Sequence, residues 1–173
     1  ADPLVAAWTF DDRMGCVALL RMLEALARDG LTPRQPTIVG FTVHEEGGCH
    51  GAKVLAQRER PDIFIAIDGC PMPAGAPLKL DGRPGIWSKD QLTHYDQATL
   101  RALCRAAREA GTELQPVVYE RAASDASAVY AAGAAGRVAC FGHVRENSHD
   151  YEVARLSVFD NVAKTLIRYM TGD

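Results

Sequence analysis

The chain has 173 residues, of which 47% are hydrophobic and 24% are charged, and its formal net charge at pH 7 is −3. These values are ordinary for one globular domain and exclude a disordered or fibrous chain. No basic stripe favours nucleic acid as a partner, and no apolar run reaches the roughly 18 residues of a membrane span. We therefore expect a single domain over residues 1–173 that binds neither nucleic acid nor membrane.

The number and spacing of the cysteines indicate the cellular compartment in which the protein is expected. Five are present without a CxxC pair, and an odd number leaves one outside any set of disulfides. Reduced thiols are typical of intracellular proteins, and no signal-peptide pattern is visible. We expect a cytoplasmic protein.

Short apolar segments alternate with helical patterns along the chain. Strands are predicted over residues 4–9, 37–43, 62–67, 116–119 and 137–141, with a short edge or loop strand at 86–88. Helices are predicted over residues 11–28, 49–57, 97–110, 124–132 and 153–170, and the Pro- and Gly-rich residues 71–84 predict a long loop. This alternation favours an α/β fold, a three-layer sandwich with a mostly parallel central sheet and helices on both faces.

Three acidic groups stand at or just past the carboxyl ends of predicted strands: Asp11-Asp12, Glu45-Glu46 and Asp68. Ligands bind at this edge in open α/β sheets. Each group alone fits a helix cap or a turn. Together they place five carboxylates along one edge, where mutual repulsion opposes their ionisation, and a bound cation relieves that conflict.

A histidine returns to the same edge. His149 lies in the polar segment 142–151, which follows the predicted strand 137–141. A lone loop histidine is usually an ordinary surface residue, so its weight comes from the carboxylates. Imidazole nitrogens and carboxylate oxygens together bind divalent metals such as zinc, cobalt or manganese.

Five motifs, in order over essentially the whole chain, carry a resemblance to a known family. They are Phe10-Asp11-Asp12-Arg13-Met14-Gly15, Phe41-Thr42-Val43-His44-Glu45-Glu46-Gly47-Gly48 with Gly51-Ala52, Ala66-Ile67-Asp68, Ser124-Asp125-Ala126 and Ser148-His149. In these positions the chain resembles the metallo-aminopeptidases of the glutamyl and tetrahedral, self-compartmentalising type. That family shares the zinc-exopeptidase fold, which the resemblance therefore implies for this chain.

The resemblance implies a centre with two divalent metal ions, zinc in the first place. Asp11 corresponds to the carboxylate that bridges the two ions. Glu46 and His149 correspond to the remaining protein ligands of one ion, and Asp68 to a ligand of the other.

The resemblance also implies the groups that act beside the metals. Glu45 corresponds to the general base, which takes a proton from a metal-bound water and delivers it to the leaving amine. Asp12, Arg13 and Asp125 correspond to groups that contact the ligands or the substrate amine, although a structural role explains them equally well.

One ligand of the family is not found ahead of Asp11. Relatives draw a further histidine from a His-x-Asp motif that precedes an inserted dimerisation domain, whereas residues 1–10 hold no histidine. The second ion would then keep only Asp11 and Asp68. Four other histidines could substitute, but none stands at a suitable predicted strand end: His44, His50, His94 and His143. We expect the chain to be the later part of a catalytic domain, without its N-terminal strands and the dimerisation insertion.

A second departure concerns the loop around His149. Relatives often have Arg-Tyr-x-His-Ser, whereas this chain has Arg145-Glu146-Asn147-Ser148-His149, with the histidine one position further from the arginine. The preferred substrate side chain therefore stays open.

The leading hypothesis is a co-catalytic metal-dependent aminopeptidase that hydrolyses N-terminal residues of short peptides, homo-oligomeric at full length. Two alternatives stay open: a catalytically silent fragment or metal-binding module, and a metal-dependent N-acyl amino-acid amidohydrolase. A doubly wound nucleotide-binding domain is disfavoured because neither GxGxxG nor GxxxxGK[ST] occurs.

Overall fold

The structure, a computed structural model, describes residues 2–172. In chain order the elements of this part are β1 (Leu4–Trp8), α1 (Phe10–Arg28), α2 (His50–Glu59), β2 (Ile63–Ile67), β3 (Cys70–Pro71), β4 (Gly85–Lys89), α3 (Gln97–Glu109), β5 (Gln115–Val118), α4 (Asp125–Ala131), β6 (Arg137–Gly142), β7 (Val144–Arg145), β8 (Tyr151–Arg155) and α5 (Ser157–Thr171).

The central sheet has the strand order β2-β6-β4-β5. β2 runs parallel to β6 and β4 runs parallel to β5, whereas β4 and β6 are antiparallel. β6 is buried from Val138 onward, because helices and neighbouring strands enclose it and an apolar run suits such a position. The sheet is mostly parallel, as predicted.

Helices cover the sheet in two groups. α1, α3 and α5 pack together, α2 packs on α4, and both α3 and α4 contact β6. In α3 the buried side chains Leu100, Leu103 and Ala107 recur at helical spacing and form its inward face. The predicted three-layer architecture is confirmed. Within residues 2–172, none of these helices combines the length and the apolar content that crossing a bilayer requires.

The strand predicted over residues 37–43 is not formed. No described strand pairs with this segment, and Ile38, Phe41 and Val43 expose 60%, 50% and 67% of their surface. An apolar, β-prone sequence becomes a strand only when a neighbour takes its backbone hydrogen bonds. The prediction was wrong because it relied on composition alone.

The helix predicted over residues 153–170 begins later, at Ser157. The residues before it form β8, which pairs antiparallel with β1 and sets Leu4 opposite Arg155. In β8 the buried residues are Glu152 and Ala154, two positions apart, as a strand with one covered face requires. The contact with β1 therefore decides the local conformation against the helical pattern.

The short strand at 86–88 is not an edge strand. β4 lies between β6 and β5, and its Ile86 and Trp87 are each only 2% exposed. The indole Nε1 of Trp87 donates to Sγ of Cys70 at 3.2 Å. The prediction failed because a run of three apolar or small residues says little about how many neighbours a strand has.

Candidate metal centre

Asp11, Glu46 and His149 meet at one point of the surface. Nε2 of His149 lies 3.2 Å from Oδ2 of Asp11 and 3.5 Å from Oε1 of Glu46. One ligand atom from each residue lies within 4.8 Å of the others. Since zinc binds such atoms at roughly 2.0–2.2 Å, donors around one ion stand up to about 4.4 Å apart, so the set needs only a small adjustment. The donor chemistry and the spacing fit a divalent metal.

The start of α1 positions the two aspartates. Thr9 has a left-handed backbone with φ 58°, and Asp11 and Asp12 keep non-helical dihedral angles before the regular helix begins. As a result the two side chains diverge: Asp11 meets His149, while Oδ1 of Asp12 accepts from the Gly15 N–H at 3.1 Å. The predicted order of strand, acidic turn and helix is present.

Asp68 follows β2 and lies close to the other carboxylates. Burial first, then the charges of Asp11 and Glu45, hold the pKa of Asp68 well above its usual range. Burial, Asp68 and Asp11 do the same to the pKa of Asp12. The predicted mutual repulsion of these carboxylates is therefore present in the folded chain.

The route by which the carboxylates converge differs from the prediction. Only Asp68 follows a strand of the central sheet, because β1 pairs with β8 outside that sheet and no described strand leads into Glu45. The packing of the β1–β8 ribbon brings Asp11 to the site, and the packing of the loop before α2 brings Glu45 to it.

Glu45 is half-buried beside a second acidic group. Burial, followed by the charges of Asp125 and Glu46, raises the pKa of Glu45 to about 7. Oδ2 of Asp125 accepts from Oγ1 of Thr42 at 2.8 Å, and burial raises the pKa of Asp125 too. A carboxyl group whose pKa lies near neutrality suits the uptake and return of a proton.

Cys49 is a neighbour of Glu45 that the sequence analysis missed. Its Sγ donates to Oε1 of Glu45 at 3.6 Å, and ligand atoms of Glu45, Cys49 and Asp125 lie within 4.8 Å of one another. Burial raises the pKa of the Cys49 thiol far above its usual range, so the thiol is protonated. Cys49 stands four residues after Glu45, just before α2. This spacing brings side chains together across one helical turn and could have predicted the contact.

Arg13 lies apart from the carboxylates. Its guanidinium donates to the backbone carbonyls of Thr9 at 3.1 Å and of Trp8 at 2.5 Å. The side chain is exposed and braces the end of β1.

Two buried charged residues, Arg145 and Glu152, lie directly behind the ligands. Nη2 of Arg145 donates to Oδ2 of Asp11 at 2.6 Å, and Oε2 of Glu152 accepts from the Asp11 N–H at 2.9 Å. No role was assigned to either from the sequence. The signal for Glu152 is its inward-facing place in β8, which is visible only once residues 151–155 are known to form a strand.

Among the other histidines, His143 contacts one of the carboxylates near the centre. It directly follows β6, and its Nδ1 lies 3.7 Å from Oδ1 of Asp12. Burial and the charge of Arg145 lower the pKa of His143 to about 3, so the ring is neutral. His143 thus directly follows a strand, but neither of the three-residue ligand groups found among residues 2–172 includes it, so its expected role as a non-ligand stays a prediction.

The letters His94-Tyr95-Asp96 match His-x-Asp, but the segment lies elsewhere. Oδ1 of Asp96 accepts from the Thr99 N–H at 2.8 Å and caps α3. The Asp96 N–H donates to the carbonyl of Val138 near the start of β6, whereas Asp68 follows the far end of β2 and His143 the far end of β6. The His94-Tyr95-Asp96 segment therefore lies at the opposite end of β6 from the candidate centre.

A shallow depression of about 650 Å³ is lined in part by Arg60, Pro61 and Gly136. These residues precede β2 and β6, whereas Asp68 follows β2. The depression thus lies at the opposite end of the sheet from the carboxylates and is not part of the candidate centre.

Fold and site together define an α/β domain in which carboxylates and a histidine form a cluster suited to divalent metal. The sequence pattern of the family described as M42 glutamyl aminopeptidase matches residues 1–165. The chain therefore belongs to the M42 glutamyl aminopeptidase family, which confirms the resemblance inferred from the five motifs.

Individual relatives agree with this assignment. A protein of Acetivibrio thermocellus, assigned as an aminopeptidase, is 28% identical over 169 residues, which cover 94% of this chain and 50% of the relative. The TET1 peptidase of Pyrococcus horikoshii has a TM-score of 0.84 at 26% identity, over 98% of this chain and 51% of its own. A TET aminopeptidase from a marine-sediment Thaumarchaeota archaeon has the same fold, with a TM-score of 0.90 at 20% identity, over 98% of this chain and 49% of its own. The chain spans about half the length of these relatives.

Proposed function

We propose that this chain is the metal-binding part of an aminopeptidase that removes N-terminal residues from short peptides. The observation that carries the proposal is the convergence of Asp11, Glu46 and His149, with the half-buried Glu45 beside them. Membership of an aminopeptidase family supports it.

Two divalent ions, zinc in the first place and cobalt or manganese otherwise, fit the donors. Asp11, Glu46 and His149 would hold the first ion, and Asp11 with Asp68 would hold the second. Asp68 is not part of the described three-residue cluster, so the second place has fewer donors from this chain. The ions would supply the Lewis acidity that activates a water molecule and polarises the scissile carbonyl.

Glu45 is the proposed general base. It accepts a proton from the attacking water, and after the C–N bond breaks it returns that proton to the leaving amine. Its half-buried position beside Asp125 and Glu46 places a carboxylate next to the proposed metal-bound water, where it can make both transfers. Asp125 supports this by keeping the proton affinity of Glu45 high. Asp12 is proposed to act from behind the ligands, where its Oδ1 accepts from the Gly15 N–H. Arg13 acts only through the backbone that it braces.

The full-length protein is proposed to be a cytoplasmic homo-oligomer that acts on peptides. The TET1 peptidase of Pyrococcus horikoshii can assemble into a tetrahedron or a large octahedral shell. This behaviour of a relative supports the proposal that the full-length protein is a homo-oligomer.

The test compares hydrolysis of leucyl- and glutamyl-p-nitroanilide with that of their N-acetylated forms, together with metal content by elemental analysis. We expect cleavage of the free-amine substrates only. The Glu45→Gln variant should retain metal and lose about 10²- to 10⁴-fold in rate, the usual contribution of a general base. Glu120→Gln, at an exposed carboxylate, is the matched control.

Two outcomes would contradict the proposal. Cleavage of the N-acetylated substrates alone would favour the amidohydrolase alternative. Absence of both turnover and metal above background would favour the catalytically silent module.

A further inference from the structure

Arg145 and Glu152 form a buried ion pair behind the metal ligands. They are 2% and 0% exposed, and Nε of Arg145 lies 3.0 Å from Oε1 of Glu152. Removing two charges from water is unfavourable unless further hydrogen bonds satisfy them. The further hydrogen-bond partners of Arg145 and Glu152 therefore indicate the role of this ion pair.

Glu152 accepts hydrogen bonds from the backbone of two proposed ligands. Its Oε2 accepts from the Asp11 N–H at 2.9 Å, and its Oε1 accepts from the His149 N–H at 3.1 Å. One carboxylate thereby joins the β1–α1 turn to the loop before β8. The two ligand residues come from opposite ends of the chain, and Glu152 fixes their distance.

The bond to His149 acts on an uncommon backbone conformation. His149 has φ 65°, in the left-handed region that a residue with a Cβ seldom occupies. Such a conformation persists only where the surroundings hold it in place. The carboxylate of Glu152 supplies one of those restraints.

Arg145 fixes the side chain of Asp11. Its Nη2 donates to Oδ2 of Asp11 at 2.6 Å and to Oγ of Ser148 at 3.0 Å. The guanidinium lies against Gly69, where a Cβ would stand 2.5 Å from Nη1 and 2.7 Å from Cζ. A glycine directly after Asp68 therefore provides the space that the guanidinium occupies.

We propose that Arg145 and Glu152 are positioning residues that hold Asp11 and His149 in the geometry that binds the first metal ion. The inference rests on the proposed metal centre and deepens it. Outer contacts of this kind orient ligands, and their loss typically weakens metal binding by about 10- to 100-fold.

The first test is a titration with Co²⁺ alone, followed by its visible absorption, which reports both affinity and coordination geometry. Glu152→Gln retains the shape, but its single amide oxygen cannot accept from both backbone N–H groups. Arg145→Lys retains the charge but cannot reach its partners in the same planar arrangement. We expect both variants to bind Co²⁺ about 10- to 100-fold more weakly, with an altered absorption spectrum.

Gly69→Ala keeps every charge. It therefore tests the positioning role of Arg145 even if Glu152→Gln or Arg145→Lys fails to fold. The added methyl group displaces the guanidinium, so we expect weaker Co²⁺ binding, by about 10-fold. Glu146→Gln and Arg21→Lys, at exposed positions, are the matched controls and should bind as the unmodified chain does. Circular dichroism with thermal unfolding identifies the variants that fold.

The outcomes separate this inference from the proposed function. If folded Glu152→Gln, Arg145→Lys and Gly69→Ala bind Co²⁺ with unchanged affinity and spectrum, the inference is overturned and the metal centre stands. If the unmodified chain binds no Co²⁺, the metal centre and the inference both fail.

Discussion

Nε2 of His149 lies 3.2 Å from Oδ2 of Asp11, although the two residues come from opposite ends of the chain. Neither a cap nor a turn requires this approach, because caps and turns join groups only a few residues apart in the chain. An imidazole and a carboxylate that also face Glu46 form a donor set for a metal ion.

The first prediction concerns metal stoichiometry. Because Asp11, Glu46 and His149 form a complete donor group, whereas the second place has only Asp11 and Asp68 as proposed donors, we expect about one tightly bound divalent ion per chain and a second, weaker one. Glu46→Ala and His149→Ala should each lose the tight ion, whereas Asp68→Asn should keep it. Elemental analysis after dialysis measures this, with His94→Ala as the control. Retention of the tight ion in His149→Ala would assign it to another place.

The second prediction concerns the pH dependence of stability in the chain freed of metal with a chelator. The native pKa of Glu45 is about 7, above its ordinary value of 4.5, so the native state holds this proton more tightly than the unfolded state. Stability contributed by the protonated form is therefore present below about pH 4.5 and is lost as the pH rises through 7.

Glu45→Gln removes this dependence. At pH 8 the variant should be more stable than the unmodified chain by ~1 kcal/mol, a figure reduced for the solvent that screens a half-exposed group, and at pH 4 the two should be alike. Urea unfolding at both pH values is the measurement, with Glu120→Gln as the control. Equal stability of the two chains at pH 8 would contradict the raised pKa.

The third prediction concerns the close contact of β6 with the backbone after β2. A Cβ at Gly142 would stand 2.1 Å from the carbonyl oxygen of Asp68, so Gly142→Ala must displace the backbone that carries a proposed ligand. We expect a loss of about 1–3 kcal/mol in the free energy of unfolding. Gly136→Ala, which meets no atom within 4 Å, is the matched control in chemical denaturation. Equal stability of the two variants would disprove the contact.

The fourth prediction separates capping from metal binding at Asp96. Its Oδ1 accepts from the Thr99 N–H at 2.8 Å at the start of α3, and the contacts with Thr99 lower the pKa of Asp96. Asp96→Ala should cost about 1 kcal/mol of stability near neutral pH, the usual cost of losing a cap.

That cost should shrink as the pH falls through the lowered native pKa of Asp96, because the charged carboxylate is the better acceptor. Metal content should not change. A loss of metal in Asp96→Ala would instead place His94-Tyr95-Asp96 at the metal centre.

The candidate site residues could be named from the sequence because of their acidic pairs and because five motifs resemble a known family. Paired carboxylates such as Asp11-Asp12 and Glu45-Glu46 are unusual enough, in order along an α/β pattern, to predict a cation. The observed closeness of Asp68, Asp11 and Glu45 agrees with that reasoning. Buried residues such as Arg145 and Glu152 were not found, because a charge in a short strand is indistinguishable by sequence from an exposed one.

The sequence by itself determined the α/β class, the helices with a regular apolar face such as α3, and the residue types proposed for the metal centre. These features depend on side-chain periodicity and on chemistry within a few residues. Only the tertiary structure decided that residues 37–43 form no strand, that residues 151–155 form one, and that Glu152 faces inward. The physical reason is that a strand exists through the hydrogen bonds of its neighbour, and that neighbour is brought to it by the fold of the distant chain.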